Sequence, residues 1–574
     1  MAMQSEVAAI RNPIVDKDGV WFLRDHRQFP YNEGNRAELY VLDVIRRATD
    51  ISSESRELET HIRDWSSLYH LSRERSLAYR SLNIRSSTRI LEVGCGCGSV
   101  TRLLGERSSH VLALEGSPRR AEITRERTRD LQSVQVVCGS YEDIQFASQF
   151  DLVICNGVFE YASVFVKHDD PHRHMLKLLS ALVAPGGSLV IAIENKVGLR
   201  YFSSGKEEHT NVMYDGLEGY PRRPNGARTF GATELQRMLS EVFPSVEVLI
   251  PLPDYKLPTA LVRAELLQRV NCAELFANTA RHDYGSRVVP QLHERLVWHE
   301  LQKSGLLREF ANSLFVVSGD KATSLLSSEW LGDIYSIHRK SQAAMRTSIV
   351  TTPDGGAATR KAHLEPPGNR AELGPVAQSG GTSRWSSGES IHTLVSRALM
   401  RDDGSALQER LRAPVLHWWK AIGGRVAESG RVPGSALDLN WQNVLVESGE
   451  TVTIDQEWTW QEEIDAAWLV VRAVSKFVSE ETPYFARWNR KLAWATPYKV
   501  MHEVATIAGV RFNTRLLAAA ARSEVEFQRH VTNRQLNSSK VYWQCFEPFQ
   551  LRAYRKAVGA IVTRIRAKMA SLLG

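Results

Sequence analysis

Long apolar runs are missing from this sequence of 574 residues. No stretch approaches the roughly 18 to 20 consecutive apolar residues that a bilayer-spanning helix requires. Near the start, Arg11, Asp16 and Lys17 stand where a signal peptide would need an apolar run. These absences argue against an integral membrane protein and predict a cytoplasmic one.

Paired cysteines are scarce as well. The six cysteines are scattered without C-x-x-C spacing, which argues against a disulfide framework and against a zinc site. Cys95 and Cys97 stand two apart inside a glycine loop. They are either half of a metal site or, as we favour, small side chains between glycines.

A strong charge of either sign is also lacking, since the formal net charge is +7. This mild excess permits an acidic partner, such as a nucleotide, a phosphorylated glycan or a membrane surface, and requires none. We expect no nucleic acid. The hydrophobic fraction of 43% is typical of a globular protein, and the length favours more than one domain.

From Arg89 onward, short β-rich runs alternate with helices. The runs are continuously apolar, as strands of a parallel sheet covered on both faces are. They occupy residues 90–93, 111–114, 134–137, 152–154 and 188–192. The predicted fold class is therefore α/β, with a doubly wound, Rossmann-like sheet.

A glycine loop follows the first of these runs. Such a loop lets backbone N–H groups approach a polar ligand at a helix N-terminus. Ser99 replaces the third glycine of a dinucleotide loop, and Glu92 adds a carboxylate before the loop that suits an amino group. The predicted ligand contacts are Glu92, Gly94, Cys95, Gly96 and Gly98.

Polar residues follow the next three strands. Glu115 and Gly116 stand where a carboxylate suits ribose hydroxyls, although Glu115 equally suits a helix cap. The third strand is followed by Ser140, Tyr141 and Glu142, which we place at an adenine edge. Asn156 and Gly157 end the fourth strand, where the alternative is an ordinary turn.

Together with Ala184-Pro185-Gly186-Gly187, this series resembles the class I S-adenosylmethionine-dependent methyltransferases over about 170 residues. The resemblance implies that Glu92 receives the α-amino group of the methyl donor. It also implies that Glu115 binds the ribose and that Asn156 lies beneath the sulfonium.

Three further stretches, residues 192–210, 252–258 and 310–314, resemble bacterial methyltransferases associated with surface-glycan biosynthesis. Members of that group commonly show Glu-Asp-His where this chain has Glu207-Glu208-His209. His209, with Glu207 or Glu208 beside it and Glu208 chosen as the catalytic partner, is our candidate general base for a hydroxyl acceptor, and its imidazole is expected to titrate near neutral pH. The alternative is a surface histidine beside solvated glutamates.

The second half changes character. Residues 350–390 are rich in Gly, Ser, Thr and Pro, and the chain after 391 is mainly helical and rich in tryptophan. We predict a helical N-terminal cap over 1–80 and a methyltransferase domain over 81–320. We also predict a loop-rich link with a reduced kinase-like small lobe over 321–390. A helical large lobe follows over 391–574.

Asp438, Asn443 and Asp455 have the spacing of a phosphotransferase site. They resemble the core of kinases and aminoglycoside phosphotransferases, so the second domain is predicted as kinase-like α+β. The resemblance implies that Asp438 is the base, Asn443 and Asp455 hold Mg²⁺, and Lys361 binds ATP phosphate. Ala436-Leu437 replaces the usual His-Arg or His-Gly, and no glycine-rich loop precedes Lys361, so a degenerate kinase or an unrelated helical domain stays open.

These patterns predict an enzyme that methylates a hydroxyl of a sugar or surface polysaccharide. The alternatives are O- or N-methylation of a small molecule and a non-catalytic scaffold. Residues 552–573 read as a basic amphipathic helix, which either packs on the protein or lies on an anionic membrane. The oligomeric state and the identity of the acceptor stay open.

Overall fold

The computed structural model describes residues 9–12, 14–23, 34–279, 290–320, 325–364, 373–424, 429–487, 495–549 and 551–552. Apart from Arg552, the predicted C-terminal basic helix lies outside these residues. Among those described, no helix is long and apolar enough to span a membrane. The chain divides into two compact units, the first over 1–202, 206–266 and 306–334 and the second over 203–205, 267–305 and 335–574.

The first unit is built on one mixed sheet. Its strands in chain order are β1 Ile14–Lys17, β2 Val20–Leu23, β3 Arg89–Val93, β4 His110–Glu115, β5 Val134–Cys138, β6 Phe150–Asn156, β7 Val183–Glu194, β8 Ser245–Leu252, β9 Ala260–Arg263, β10 Ser313–Gly319 and β11 Trp330–Ser336. They lie in the order β1-β2-β5-β4-β3-β6-β7-β10-β8-β9-β11. All five predicted strands are present, and the Rossmann-like sheet is confirmed.

The parallel centre of the sheet comprises β2, β5, β4, β3, β6 and β7. β10 runs antiparallel between β7 and β8, so the order departs from that of a dinucleotide-binding sheet. The central strands are apolar throughout because both faces are covered. Their carboxyl ends therefore lie along one edge, where ligands bind in open α/β sheets.

Helices flank this sheet. Those of the first unit are Asn35–Arg47, Arg56–Thr60, Trp65–Leu71, Leu77–Arg80, Ser99–Arg107, Pro118–Arg127, Ala162–Phe165, Pro171–Ala181, Leu199–Phe202, Ala232–Ser240 and Leu307–Phe310. The helical repeats predicted at 37–42 and 65–71 are present. The N-terminal 80 residues are nevertheless more than a helical cap, because β2 pairs with β5 and extends the sheet.

The second unit contains β12 Met345–Thr351, β13 Ala357–His363, β14 Val376–Gln378, β15 Gly381–Arg384, β16 Glu389–Ser390, β17 Arg431–Val432, β18 Val444–Glu447, β19 Glu450–Thr453, β20 Trp458–Trp460 and β21 Ile464–Asp465. β12, β13 and β15 form an antiparallel group, so the predicted loop-rich link is largely strand. Its glycines mark hairpin turns. Gly355, with φ +81°, lies in the turn between β12 and β13.

The helices of the second unit are Leu266–Arg269, Ala273–Asn278, Glu294–Lys303, Ile391–Met400, Leu407–Ala421, Ala466–Glu481, Pro497–Ala508, Thr514–Val531 and Ser538–Gln544. The tryptophans noted in the sequence form its core. Trp418, Trp441 and Phe477 are buried, with successive ring centroids 6.1 and 5.2 Å apart.

The boundary predicted at residue 320 also differs from the observed division, because 267–305 packs with the second unit. The reason is buried charge. Arg295 donates to Glu480 at 3.3 Å, and His293 and His392 lie 2.8 and 3.1 Å from the Glu481 carboxylate. Pairing of buried ionic groups across sequence-distant helices is not visible in a local pattern.

Candidate functional site

The glycine loop joins β3 to the helix Ser99–Arg107. Gly94, Gly96 and Gly98 have φ of +73°, +58° and +77°, which glycine adopts without the strain of a side chain. A Cβ on Gly94 would lie 2.3 Å from Val158 Cγ2, and one on Gly98 would lie 2.9 Å from Thr124 Cα. A Cβ on Gly96 would meet nothing within 4 Å. The loop therefore packs on the protein at both ends and faces open space at its centre.

Glu92 ends the apolar run of β3 and is 2% exposed. Its Oε2 accepts a hydrogen bond of 2.6 Å from the Thr101 hydroxyl. Burial raises the pKa of Glu92 to about 8, against the lowering effects of Thr101 and Arg75. Near neutral pH the Glu92 carboxyl is thus largely protonated, and it is suited to ionise beside a cationic group.

Glu115 ends β4 one strand away. Gly96 N–H donates to its Oε2 at 2.8 Å, and Ser117 N–H donates to its Oε1 at 2.9 Å. Burial raises the pKa of Glu115, while Arg120 and these backbone donors lower it in part. Each oxygen retains a lone pair for a further donor, such as a hydroxyl group.

The remaining predicted contacts lie at the same edge. Ser140 is buried and accepts from Glu142 N–H at 3.3 Å, whereas Glu142 is exposed. Burial raises the pKa of the Tyr141 hydroxyl, so it stays a hydrogen-bond donor. Asn156 is buried with its Oδ1 unpaired, and Gly157 has φ +69°. An unpaired buried oxygen beside an open cradle fits a missing polar ligand.

Cys95 and Cys97 are buried and free. Cys95 Sγ donates to Thr124 Oγ1 at 3.6 Å, and Cys97 Sγ lies 3.8 Å from His70 Nε2. Among the described residues, neither cysteine belongs to a group able to hold a metal. The two thiols are packing elements of the loop.

A second group of polar side chains, the Glu–His cluster, lies beyond the ends of β6 and β7. We define it as Glu160, Glu194, Glu207, Glu208 and His209. The sequence indicated the last three, whereas Glu160 and Glu194 were missed. A signal for Glu194 was present, since it ends an apolar strand and Glu92 stands one residue before the end of another.

His209 is fixed from one side. Its Nδ1 lies 2.8 Å from Glu207 Oε1, and Glu207 Oε2 accepts from the backbone N–H groups of His209 and Thr210. Burial lowers the pKa of His209, but Glu160 and Glu207 outweigh it and raise that pKa well above the usual value. The expected titration near neutral pH is therefore not what these surroundings produce, although the catalytic role stays a prediction.

Glu208 does not assist His209 directly. It pairs with Arg200 and with Lys256. Lys256 Nζ also lies 2.7 Å from Glu194 Oε1, to which Tyr255 donates at 3.3 Å. The three stretches that carried the narrower resemblance thus converge on one cluster, because the Asn195 amide donates at 2.7 Å to the carbonyl of Ala311.

In the second unit, Lys361 of β13 pairs with Asp455 and lies 3.4 Å from Glu457. Asp455 has a φ of +54°, and half of its side chain is exposed. Asn443 Nδ2 donates to the carbonyls of Asp438 and Asp455 at 2.9 and 3.4 Å. The four residues chosen by spacing therefore form one group.

Asp438 faces inward within this group. Its Oδ2 accepts from the backbone N–H groups of Glu457 and Trp458 at 2.7 and 3.2 Å. Burial raises its pKa to about 6, with a further contribution from Asp455. This carboxylate braces the loop that carries Asp455, so its role as a base stays a prediction.

Comparison with known proteins connects the first unit to a family. Residues 91–191 match the family model described as a methyltransferase domain. Malonyl-(acyl-carrier protein) O-methyltransferase of Priestia megaterium is 28% identical over 127 residues, covering 21% of this chain and 43% of that protein. The mitochondrial ubiquinone biosynthesis O-methyltransferase of Schizosaccharomyces pombe is 30% identical over 142 residues, covering 22% and 49%.

The chain thus spans less than half the length of these relatives. Among solved structures, the N-methyltransferase NodS from Bradyrhizobium japonicum with S-adenosyl-L-homocysteine is 18% identical, covers 28% of this chain and 74% of that chain, and has a TM-score of 0.20. The match over 91–191 confirms a class I S-adenosylmethionine-dependent methyltransferase domain. The surface-glycan type and the kinase-like second half stay predictions.

The glycine geometry predicts a difference between two alanine substitutions. Gly94→Ala adds a clash with Val158 to the left-handed strain, whereas Gly96→Ala adds only the strain, about 1 kcal/mol. Chemical denaturation should therefore show a clearly larger loss of unfolding free energy for Gly94→Ala. Equal losses would contradict the described packing of the loop.

Proposed function

We propose that the first unit transfers a methyl group from S-adenosylmethionine to a hydroxyl oxygen. The observation that carries this proposal is the open cradle at Gly96, flanked by the buried carboxyls of Glu92 and Glu115 and by the unpaired Asn156 Oδ1. The bond between sulfur and methyl breaks, its electron pair stays on sulfur, and the acceptor oxygen bonds to the methyl carbon. The hydroxyl passes its proton to a base, for which His209 is the candidate.

Each part of the donor has a matching group in the site. Glu92 suits the α-amino group because the ammonium of the donor would supply the counter-charge that this buried carboxylate needs. Glu115 offers free lone pairs to the ribose hydroxyls, and Ser140 and Tyr141 follow the strand beside it. Asn156 supplies a dipole near the sulfonium. Most of the catalytic effect then comes from positioning and from excluding water.

A sugar or glycan is the acceptor class that the site favours. The Glu–His cluster follows β6 and β7, which pair at the registers Asn156–Ala192 and Cys155–Ile191. Such a buried polar cluster suits a polyhydroxylated acceptor better than an apolar one, since buried polar groups need partners. The names of both curated relatives specify methylation on oxygen. A small-molecule acceptor is the runner-up.

Donor binding should depend on pH through Glu92. Below its pKa of about 8 the carboxyl is protonated and must lose its proton to pair with the donor's ammonium. The affinity for S-adenosylhomocysteine should therefore rise toward pH 8, by up to about tenfold per unit. Calorimetry near pH 7 in buffers of different ionisation enthalpy should detect the released proton.

Glu92→Gln should weaken binding and abolish this proton release. Glu247→Gln is the matched control, because Glu247 is a half-buried glutamate of β8 whose pKa is also raised by burial. Its binding should equal that of the wild type. If the wild-type protein bound no S-adenosylhomocysteine, the proposed function would be wrong.

Methyl transfer itself is tested with the labelled donor and a panel of hydroxylated glycans and apolar small molecules. We expect label in the glycans. His209→Ala should lower turnover by about 10²- to 10⁴-fold while leaving donor binding unchanged. Glu218→Gln, an exposed glutamate after the same loop, should change neither quantity. Full turnover in His209→Ala would remove His209 from the chemistry.

We infer a second candidate function for the second unit, the binding of ATP with Mg²⁺. The observation that favours it is the contact of Lys361 with Asp455, which are 94 residues apart in the chain. In a phosphotransferase site, a lysine binds the phosphate and a nearby carboxylate binds the metal ion. The contact of Lys361 with the half-exposed Asp455 places these two groups side by side. The inward-facing Asp438 favours binding over phosphoryl transfer.

Wild-type protein should therefore bind Mg-ATP at or below about 1 mM, the upper end of ordinary enzyme affinities. Asp455→Asn should lose this binding, and Asp354→Asn, an exposed residue of the β12–β13 turn, should retain it. Fluorescence titration with a labelled ATP analogue measures both. Absence of wild-type binding would leave the unit as an architectural or acceptor-holding domain.

A further inference from the structure

Three side chains of the Glu–His cluster converge in the manner of a metal site. Glu160 lies in the 3-10 turn Phe159–Tyr161 after β6, Glu194 ends β7, and His209 comes from the following loop. One potential ligand atom of each lies within 4.8 Å of the others. Within the described part of the chain, no other group of His, Cys, Asp or Glu meets this criterion.

Each of the two glutamates has one carboxylate oxygen without a hydrogen-bond partner. Glu160 Oε2 and Glu194 Oε2 are buried without a hydrogen bond, and the two residues are 1% and 2% exposed. Glu194 Oε1 is occupied by Lys256 and Tyr255, so Oε2 is the oxygen left over. A buried carboxylate oxygen without a donor costs free energy unless a ligand absent from the protein alone satisfies it.

The histidine is held as metal-binding histidines are held. Its Nδ1 contacts Glu207 Oε1, which leaves Nε2 directed toward Glu160, 3.9 Å from Oε1. The Glu207 carboxylate is itself fixed by two backbone donors. A carboxylate on the far ring nitrogen orients a ligand histidine and increases its basicity. The Tyr161 ring packs edge-on against the imidazole at 5.3 Å.

The Glu–His cluster also has more acidic than basic side chains, which favours the binding of a cation. Its four glutamates face two permanently charged partners, Arg200 and Lys256. A divalent ion would take the place of the His209 proton and leave the imidazole neutral, and the two charges of the ion would then balance this set. Buried charges without such compensation are strongly unfavourable.

We propose that Glu160, Glu194 and His209 bind one divalent transition-metal ion of the Mn²⁺ class. Two carboxylates and one imidazole form a mixed donor set that suits Mn²⁺ or Zn²⁺ better than Ca²⁺. Three protein ligands leave coordination positions open. Resting on the proposed function, we assign one open position to the acceptor hydroxyl.

Coordination would contribute to transfer in two ways. First, it holds the acceptor oxygen beyond the end of β6, the strand whose last residue, Asn156, is proposed to lie near the methyl donor. Second, it lowers the pKa of the acceptor hydroxyl. With its Nε2 on the metal, His209 acts as a ligand and no longer as the base, so the hydroxyl proton leaves to solvent before the oxygen attacks the methyl carbon. Glu207 acts as a positioning residue through His209.

Metal binding is tested on the full chain in the Asp455→Asn background, which removes the candidate ion site of the second unit. The protein is first stripped with a chelator and then titrated with Mn²⁺ alone, following the loss of the free-ion electron paramagnetic resonance signal. We expect about one tightly bound ion per chain. Pulsed measurements should show coupling of that ion to an imidazole nitrogen.

Variants test the ligands one by one. Glu160→Gln, Glu194→Gln and His209→Ala should each weaken Mn²⁺ binding at least about 100-fold, and Glu207→Gln about 10- to 100-fold. Glu218→Gln should bind as the background protein does. S-adenosylhomocysteine binding, measured on every variant, shows whether the donor half remains folded.

Two results would overturn the proposal. One is the failure of the folded background protein to bind either Mn²⁺ or Zn²⁺. The other is bound Mn²⁺ without nitrogen coupling, which would place the ion elsewhere. Both are distinguishable from failure of the proposed function, which would appear as lost S-adenosylhomocysteine binding in the wild type.

Discussion

The parallel pairing of β4, β3, β6 and β7 is the constraint on which both sites of the first unit depend. Strands that run in one direction end at one edge, so residues far apart in sequence arrive side by side. Glu115, Asn156 and Glu194 each end such a strand, and Glu92 stands one residue before the end of β3. The covered faces require apolar residues along each strand, and the first polar residue after them therefore falls at the edge.

This constraint also explains what was predictable. The strands and the glycine loop were found because an apolar run and a left-handed turn are local signals. Glu160 was missed because a single glutamate in a short turn has no periodicity. Its significance depends on Glu194 and His209, which lie 34 and 49 residues further along the chain and are brought close only by folding.

In the second unit, the residues that meet were predicted, whereas the secondary structure around them was not. The resemblance to phosphotransferases selected Lys361 and Asp455, and the two side chains are in contact in the structure. The predicted secondary structure around Lys361 was wrong, because the glycines of the hairpin turns were taken as a sign of loop where the chain forms β12 and β13. The boundary was wrong for another reason. The buried pairing of His293 with Glu481 assigns residues 267–305 to this unit, and no local pattern encodes it.

Tyr255 and Lys256 lie in a stretch of the chain distant from the glycine loop. They reach Glu194 from the segment between β8 and β9, whereas the glycine loop belongs to the chain between β3 and β4. The two ends of the site are thus encoded in separate stretches of the gene. Tyr255 also lies against Gly157, where an added Cβ would come within 2.8 Å of the tyrosine hydroxyl oxygen, so a substitution at position 255 would affect both ends of the site at once.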